Sequence, residues 1–167
     1  MKILILYYSR TGHTEGLAEE VLRGVERVPG IEGVLKSASK VTKEDFLSAD
    51  GIIAGSPVYF GTMAAELKKV LDDYVGIRGK MENKIGAAFA TSGAPTGGKE
   101  TTIMSILQAF LIYGMIIVGD PLSATGHYGT AFYGEIDEET RENAAKLGAR
   151  VALLAKATGE VRKRGQE

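Results

Sequence analysis

Residues 2–8 (KILILYY) form an almost unbroken apolar run, and the residues just after them change character completely. Such a run, with no polar alternation, fits a strand buried on both faces, as in a parallel sheet covered by helices on each side. From residue 13 to 28 the apolar period becomes helical: Leu17, Val21, Val25 and Val28 recur every three or four positions among Glu and Arg, until Pro29-Gly30 stops the pattern. The unit of strand, polar loop and helix then repeats. Residues 31–36 read as a weaker second strand, and Thr42 with Asp45 has capping-box spacing ahead of a short helix. Gly51–Gly55 reads as a third strand stopped by Ser56-Pro57, followed by a helical face of Met63, Leu67, Val70, Leu71 and Tyr74. A strand at 85–90, a helix at 101–113, a fifth strand at 115–118, a long loop at 121–134 and a helix capped by Asp137 complete the series. Five strands alternating with helices predict an α/β fold, a doubly wound parallel sheet in a three-layer sandwich. No linker or repeat interrupts the pattern, so residues 1–160 read as one domain with a charged tail at 161–167.

Composition narrows the chemistry. The chain has 167 residues, enough to bury a core without staples, and a formal net charge of -1. That balance gives no electrostatic reason to bind nucleic acid or an anionic membrane. The absence of cysteine removes disulfides, thiolate-held iron–sulfur clusters, thiol nucleophiles and Cys-ligated zinc, and His13 and His127 alone leave little for a metal centre. No apolar stretch reaches the ~18 residues of a membrane helix, and the N-terminus lacks a signal-peptide pattern. A cytoplasmic protein without membrane insertion is the expectation.

In a doubly wound sheet the ligand sits at the carboxyl ends of the strands, and four segments there are rich in Gly, hydroxyl and aromatic residues. Ser9-Arg10-Thr11-Gly12-His13-Thr14 joins a strand to a helix N-terminus with three hydroxyls, a donor set suited to a phosphate monoester. Pro57-Val58-Tyr59-Phe60-Gly61 offers aromatics on which a flat ring could stack. Thr91-Ser92-Gly93-Ala94-Pro95-Thr96-Gly97 could present backbone N–H groups to the edge of such a ring. Gly93, Gly98 and Lys99 also imitate a nucleotide-triphosphate loop, but Glu100 stands where that loop needs Ser or Thr for magnesium. His127, the one catalytic candidate, and Tyr128, an expected cofactor contact, lie in the glycine-rich segment after the fifth strand.

Together these motifs, LYYSRTGHT (6–14), GSPVYFGTM (55–63), TSGAPTGGKETT (91–102) and YGMIIVG (113–119), resemble the flavodoxin superfamily. Within it the chain is most similar to the Trp-repressor-binding-protein type of NAD(P)H:quinone oxidoreductase. The resemblance implies a flavodoxin-like five-stranded sheet of order 2-1-3-4-5 and an FMN cofactor. It places the FMN phosphate on Ser9–Thr14, the flavin ring beside Val58, Tyr59 and Phe60, and the ring's polar edge on Ser92–Gly97. It further implies NADH or NADPH as co-substrate, a small-molecule quinone as acceptor, and a homo-oligomer, dimer or tetramer. The family often carries histidine where this chain has Ile112. A non-enzymatic electron carrier is the competing expectation, and the near-neutral charge argues against it, since such carriers dock on basic partners through acidic surfaces.

Overall fold

The computed structural model describes residues 1–159; the charged tail expected at 161–167 lies outside them. The elements follow in the order β1 (Lys2–Tyr7), α1 (His13–Glu26), β2 (Glu32–Ser37), α2 (Lys43–Ser48), β3 (Gly51–Pro57), α3 (Ala65–Asp73), β4 (Ile85–Ser92), α4 (Lys99–Ile112), β5 (Ile116–Ile117), β6 (Thr130–Tyr133) and α5 (Glu138–Ala157). A 3-10 turn at Val75–Lys80 connects α3 to β4. All pairings in the sheet are parallel, with the order β2-β1-β3-β4-β5, as the sequence led us to expect.

One strand position is shared. β5 pairs with Ile85 and Gly86 at the start of β4, while β6 pairs with Phe89 through Ser92 at its end. The fifth strand is therefore split by an excursion at 118–129, and residues 130–133, read from sequence as loop, return to the sheet. Their burial alternates, Thr130 and Phe132 facing in. β3 also outruns its expected end: Ser56 and Pro57 pair with Ala90 and Thr91. The missing Pro57 N–H points to the β1 side, beyond the last β1 bond at Tyr8 N–H to the Gly55 carbonyl, so no ladder bond is lost there.

The apolar alternation within the central strands feeds two cores, one on each face. Leu4, Leu6, Ile52, Ala54, Ala88 and Ala90 face Phe46, Leu67, Ile106 and Phe110 of α2, α3 and α4. Ile3, Ile5, Ile53 and Phe89 face Leu17, Val21, Leu147 and Val151 of α1 and α5. α1 and α5 lie unusually close: a Cβ built on Gly24 would stand 1.9 Å from the Ala145 carbonyl oxygen, and one on Gly148 would stand 2.1 Å from that of Val21. The capping box expected at Thr42 is present, with Asp45 N–H donating to Thr42 Oγ1 at 3.2 Å and Thr42 N–H to Asp45 Oδ2 at 2.8 Å. Asp137 caps α5 through the Thr140 N–H at 2.8 Å. Among the described residues no helix is long and apolar enough to cross a membrane.

Candidate functional site

β1 delivers the chain to the carboxyl edge at Tyr7, and α1 begins after five intervening residues, at His13. Gly12 makes the bend with φ 92°, a left-handed conformation that side chains rarely adopt. Ser9 Oγ accepts the Gly12 N–H at 3.1 Å, and Thr11 Oγ1 lies 2.9 Å from His13 Nδ1. No side chain caps the N-terminus of α1. Its first-turn N–H groups and the positive end of its dipole therefore open toward the loop, the arrangement that receives an anion. Thr14 is buried, and its Oγ1 lies 2.8 Å from Thr91 Oγ1, tying the loop to the end of β4. Glu15, the acidic residue of that first turn, accepts a hydrogen bond from the Tyr7 hydroxyl. Burial, and then Glu15 itself, push the Tyr7 phenol up to about 12, so Tyr7 stays a neutral donor at ordinary pH.

After β3 the chain turns back at once. Tyr59 and Thr62 exchange two backbone hydrogen bonds, each of 3.1 Å, around Phe60 at φ 51° and Gly61 at φ 77°. Positive φ at both corner residues is the signature of a type I′ turn, and for an aromatic residue it costs on the order of 1 kcal/mol. The Phe60 ring is fully exposed. The Tyr59 ring meets that of Tyr8 edge-on, centroids 6.4 Å apart.

The turn is held from beneath by two hydroxyls. Ser56 Oγ, completely buried, donates to the Pro57 carbonyl and accepts the Ala64 N–H, both at 2.8 Å. Ser105 Oγ on α4 accepts the Met63 N–H at 3.1 Å. Removing the first of these should loosen the turn: we expect Ser56→Ala to cost about 1–3 kcal/mol in urea unfolding, because it leaves the Ala64 N–H buried without a partner. Amide hydrogen exchange at Ala64 should accelerate in the same variant; unchanged exchange would show that the hydroxyl does not hold the turn.

β4 ends in Thr91 and Ser92, and Ser92 Oγ donates to the Ala94 carbonyl at 2.6 Å. Gly97 N–H returns to the same carbonyl at 3.2 Å, closing a tight loop before α4. Lys99, the residue that imitates a triphosphate-loop lysine, lies 5.3 Å above the Tyr133 ring.

These segments enclose a cleft of about 350 Å³, lined by Arg10, Thr11, His13 and Thr14, by Pro57, Val58 and Tyr59, by Thr91, Ser92 and Gly93, and by Phe132 and Gly134 of the split fifth strand. Ser9 and Gly12 shape the loop without lining the cleft. Phe60 faces a second hollow outside the turn. Gly61 and Ala94 through Gly97 also lie outside the lining. Phe132 and Gly134 were absent from the sequence-derived binding set; the apolar-in alternation of Thr130-Ala131-Phe132-Tyr133 is the signal that would have placed them. Phe132 is buried.

Two expectations fail on geometry. His127 and Tyr128 do not line the cleft. A Cβ on Gly129 would meet the Ala88 carbonyl, whereas the carboxyl edge lies at Tyr133 opposite Ser92. Four residues of strand, roughly 13 Å, separate the two levels. The excursion that splits the fifth strand sets His127 and Tyr128 beside the middle of the sheet, so no catalytic role is assigned to His127. Ile112 is equally remote. It ends α4, about 20 Å along the helix from the cleft, beside the Gly114 turn that packs on Glu82. Among the described residues no three His, Asp or Glu side chains converge on a metal site.

Comparison with known proteins sets this cleft in context. The sequence model of the family described as NADPH-dependent FMN reductase matches residues 29–130. A flavodoxin of Aquifex aeolicus is 39% identical over 157 residues, 90% of this chain and 85% of that protein. The chain belongs to the NADPH-dependent FMN reductase family of the flavodoxin superfamily. A flavodoxin of Clostridium saccharobutylicum is 34% identical over 93% of this chain and 98% of its own. In structure the chain is similar to a WrbA-like flavodoxin of Agrobacterium tumefaciens, with a TM-score of 0.81, 25% identity and coverage of 93% and 98% of the two chains. These relatives support FMN binding and oxidoreductase chemistry of a general kind.

The donor set of the cleft suits FMN. An uncapped helix N-terminus flanked by hydroxyls answers the phosphate. The slot between Val58-Tyr59 and Thr91-Ser92-Gly93 offers an apolar wall opposite a polar backbone edge, which is what the flavin ring presents in return.

Proposed function

We propose that this member of the family carries FMN in the cleft and uses it to pass two electrons from NADH or NADPH to a quinone. Ser9 through Thr14 would hold the phosphate. Pro57, Val58 and Tyr59 would wall one face of the ring, and Phe60 and Gly61 would form the turn that presents them. Thr91, Ser92 and Gly93 would meet its polar edge, and Ala94 through Gly97 would support that loop. FMN supplies the hydride and electron chemistry when bound, and the protein supplies binding, orientation and ring electrostatics.

The observation that carries the finer reading is the asymmetry of the two walls. The 57–61 turn brings Tyr59 to the cleft, whereas the 91–98 loop has no aromatic residue. With Tyr59 on one face and the 91–93 loop on the polar edge, the other face of the ring would be left to a nicotinamide first and then to a quinone. The description of the family as NADPH-dependent FMN reductases and the likeness to a WrbA-like structure support this direction.

With FMN-loaded protein, NADH or NADPH and benzoquinone, double-reciprocal plots at several fixed quinone concentrations should be parallel, because the two substrates visit one face in turn. Since His127 stands away from the cleft, His127→Ala should leave these rates unchanged. Absence of turnover with both nicotinamides would move the assignment to the second reading, a flavodoxin-type electron carrier, which the names of the two curated relatives favour. The exposed Phe60, Leu122 and Tyr128 also support assembly as a symmetric homo-oligomer, a dimer or tetramer, which light scattering would establish.

A further inference from the structure

A glutamate three residues into a helix has an ordinary use: its side chain reaches back to the N-cap N–H and closes the helix end. α1 is preceded by Gly12 as its N-cap, so Glu15 holds that third position. It does not make the bond. The Gly12 N–H donates to Ser9 Oγ at 3.1 Å, and the Glu15 carboxylate accepts the Tyr7 hydroxyl instead. Tyr7 is the last residue of β1, and its ring is buried in the core that α1 and α5 cover. Neither Tyr7 nor Glu15 lines the cleft. The first-turn N–H groups of α1 thus stay open although an acid stands among them.

We propose that Tyr7 is a positioning residue for the cofactor phosphate, which keeps the Glu15 carboxylate out of the anion site at the start of α1. This role rests on the FMN reading above and adds to it a residue that touches no part of the cofactor. The positive end of a helix dipole attracts any anion within the first turn, a side-chain carboxylate as well as a phosphate. Glu15 is tethered beside those N–H groups, whereas FMN must come to them from solution. Glu19, one turn further along α1, is a like charge that would push a released Glu15 toward the N-terminus and the phosphate loop. Bound to Tyr7, the carboxylate is held on the strand side of the helix. A phenol suits the task. Burial, and then Glu15, raise its pKa to about 12, so the hydroxyl remains a donor at ordinary pH. Its ring is fixed in the core and keeps the hydroxyl at one place.

Apoprotein of the wild type, Tyr7→Phe, Glu15→Gln and the double variant would be titrated with FMN and with riboflavin by quenching of flavin fluorescence. Phe fills the same core space and lacks only the donor. Tyr7→Phe should lose about threefold or more in FMN affinity, the effect of one charge at a helix terminus, with riboflavin unchanged. The loss should shrink as salt is added. Glu15→Gln should leave FMN affinity nearly as it is, and the double variant should recover the wild-type value. Glu15→Asp keeps the charge on an arm too short for the Tyr7 hydroxyl, so it should lose FMN affinity as Tyr7→Phe does, with the core untouched. Inorganic phosphate, followed by the rise in Tm that it gives the apoprotein, should rank the variants in the same order.

An unchanged preference for FMN over riboflavin in Tyr7→Phe and in Glu15→Asp would overturn the role of Tyr7 and leave the FMN reading standing. A double variant as weak as Tyr7→Phe would also overturn it, placing the loss in the packing of the ring and not in the charge of Glu15. Equal losses for the two flavins would do the same, because position 7 would then shape the whole cleft. A wild type that bound both flavins equally would remove the FMN reading itself, and the role of Tyr7 with it.

Discussion

Gly148→Ala should destabilise the protein by about 2–3 kcal/mol and lower its Tm by roughly 4–12 °C. The sign is the informative part. Gly148 lies inside α5, and on an exposed helix face replacing Gly by Ala gains about 1 kcal/mol from helix propensity alone. Here the new Cβ would stand 2.1 Å from the Val21 carbonyl oxygen, a backbone atom that cannot turn aside as a flexible side chain could. α1 must therefore move off α5, and the packing of Leu17, Val21, Leu147 and Val151 on the sheet loosens with it. Gly24→Ala should act alike, its Cβ falling 1.9 Å from the Ala145 oxygen. The double variant should cost less than the sum, because once the helices part the second methyl enters space already opened. Urea and thermal unfolding followed by far-UV circular dichroism would measure all three. A rise in Tm for either single variant would show that the two helices are not in backbone contact.

Nothing in the sequence points to that seam. Gly24 and Gly148 lie more than a hundred residues apart and obey no local pattern, so only the tertiary approach of α1 to α5 reveals why they are glycines. Local physics was far more legible. β1, β3 and β4 are buried on both faces and so show as continuous apolar runs, while Thr42 and Asp137 announce their helices through side chains that bond backbone N–H groups within one turn. The fifth strand was harder, because its two pieces, Ile116–Ile117 and Thr130–Tyr133, are short and are joined only by pairing with β4. Without that pairing, residues 130–133 read as the end of a glycine-rich loop, and His127 and Tyr128 were carried along to an edge they do not reach. Strand 3 erred in the opposite direction. Proline was read as a stop, but Pro57 lies past the end of β1, where no hydrogen bond is asked of it.

The cleft was legible where its residues follow their strands directly. Arg10, Thr14, Tyr59 and Ser92 all lie within a few residues of a strand end, and the sheet's topology brings those ends together. Ser56 and Ser105 went unread because their work is done beneath the turn, across the gap between β3 and α4. Gln108 and the hollow it borders outside the turn are likewise products of helix packing. A helix face carries no motif to mark it as a wall.

FMN should bind this protein at least a hundredfold more tightly than riboflavin. The two ligands share the flavin ring and differ by the terminal phosphate, so their ratio isolates what the loop after β1 contributes. That loop offers the uncapped N–H groups of α1 and the hydroxyls of Thr11 and Thr14, and no carboxylate lines the cleft beside them, Glu15 being turned to the Tyr7 hydroxyl. Charge-assisted hydrogen bonds are worth about 1.5–3 kcal/mol each. Two of them already exceed a hundredfold, at about 1.4 kcal/mol per factor of ten. Thr14→Val should separate the hydroxyl from the helix: it keeps the shape and the backbone N–H, removes one donor, and breaks the 2.8 Å contact with Thr91. FMN affinity should then fall about tenfold or more while riboflavin stays nearly constant. Titration of apoprotein with each flavin, followed by quenching of flavin fluorescence, gives both ratios. Equal affinity for the two flavins would remove the phosphate from this loop, and with it the assignment of the cleft.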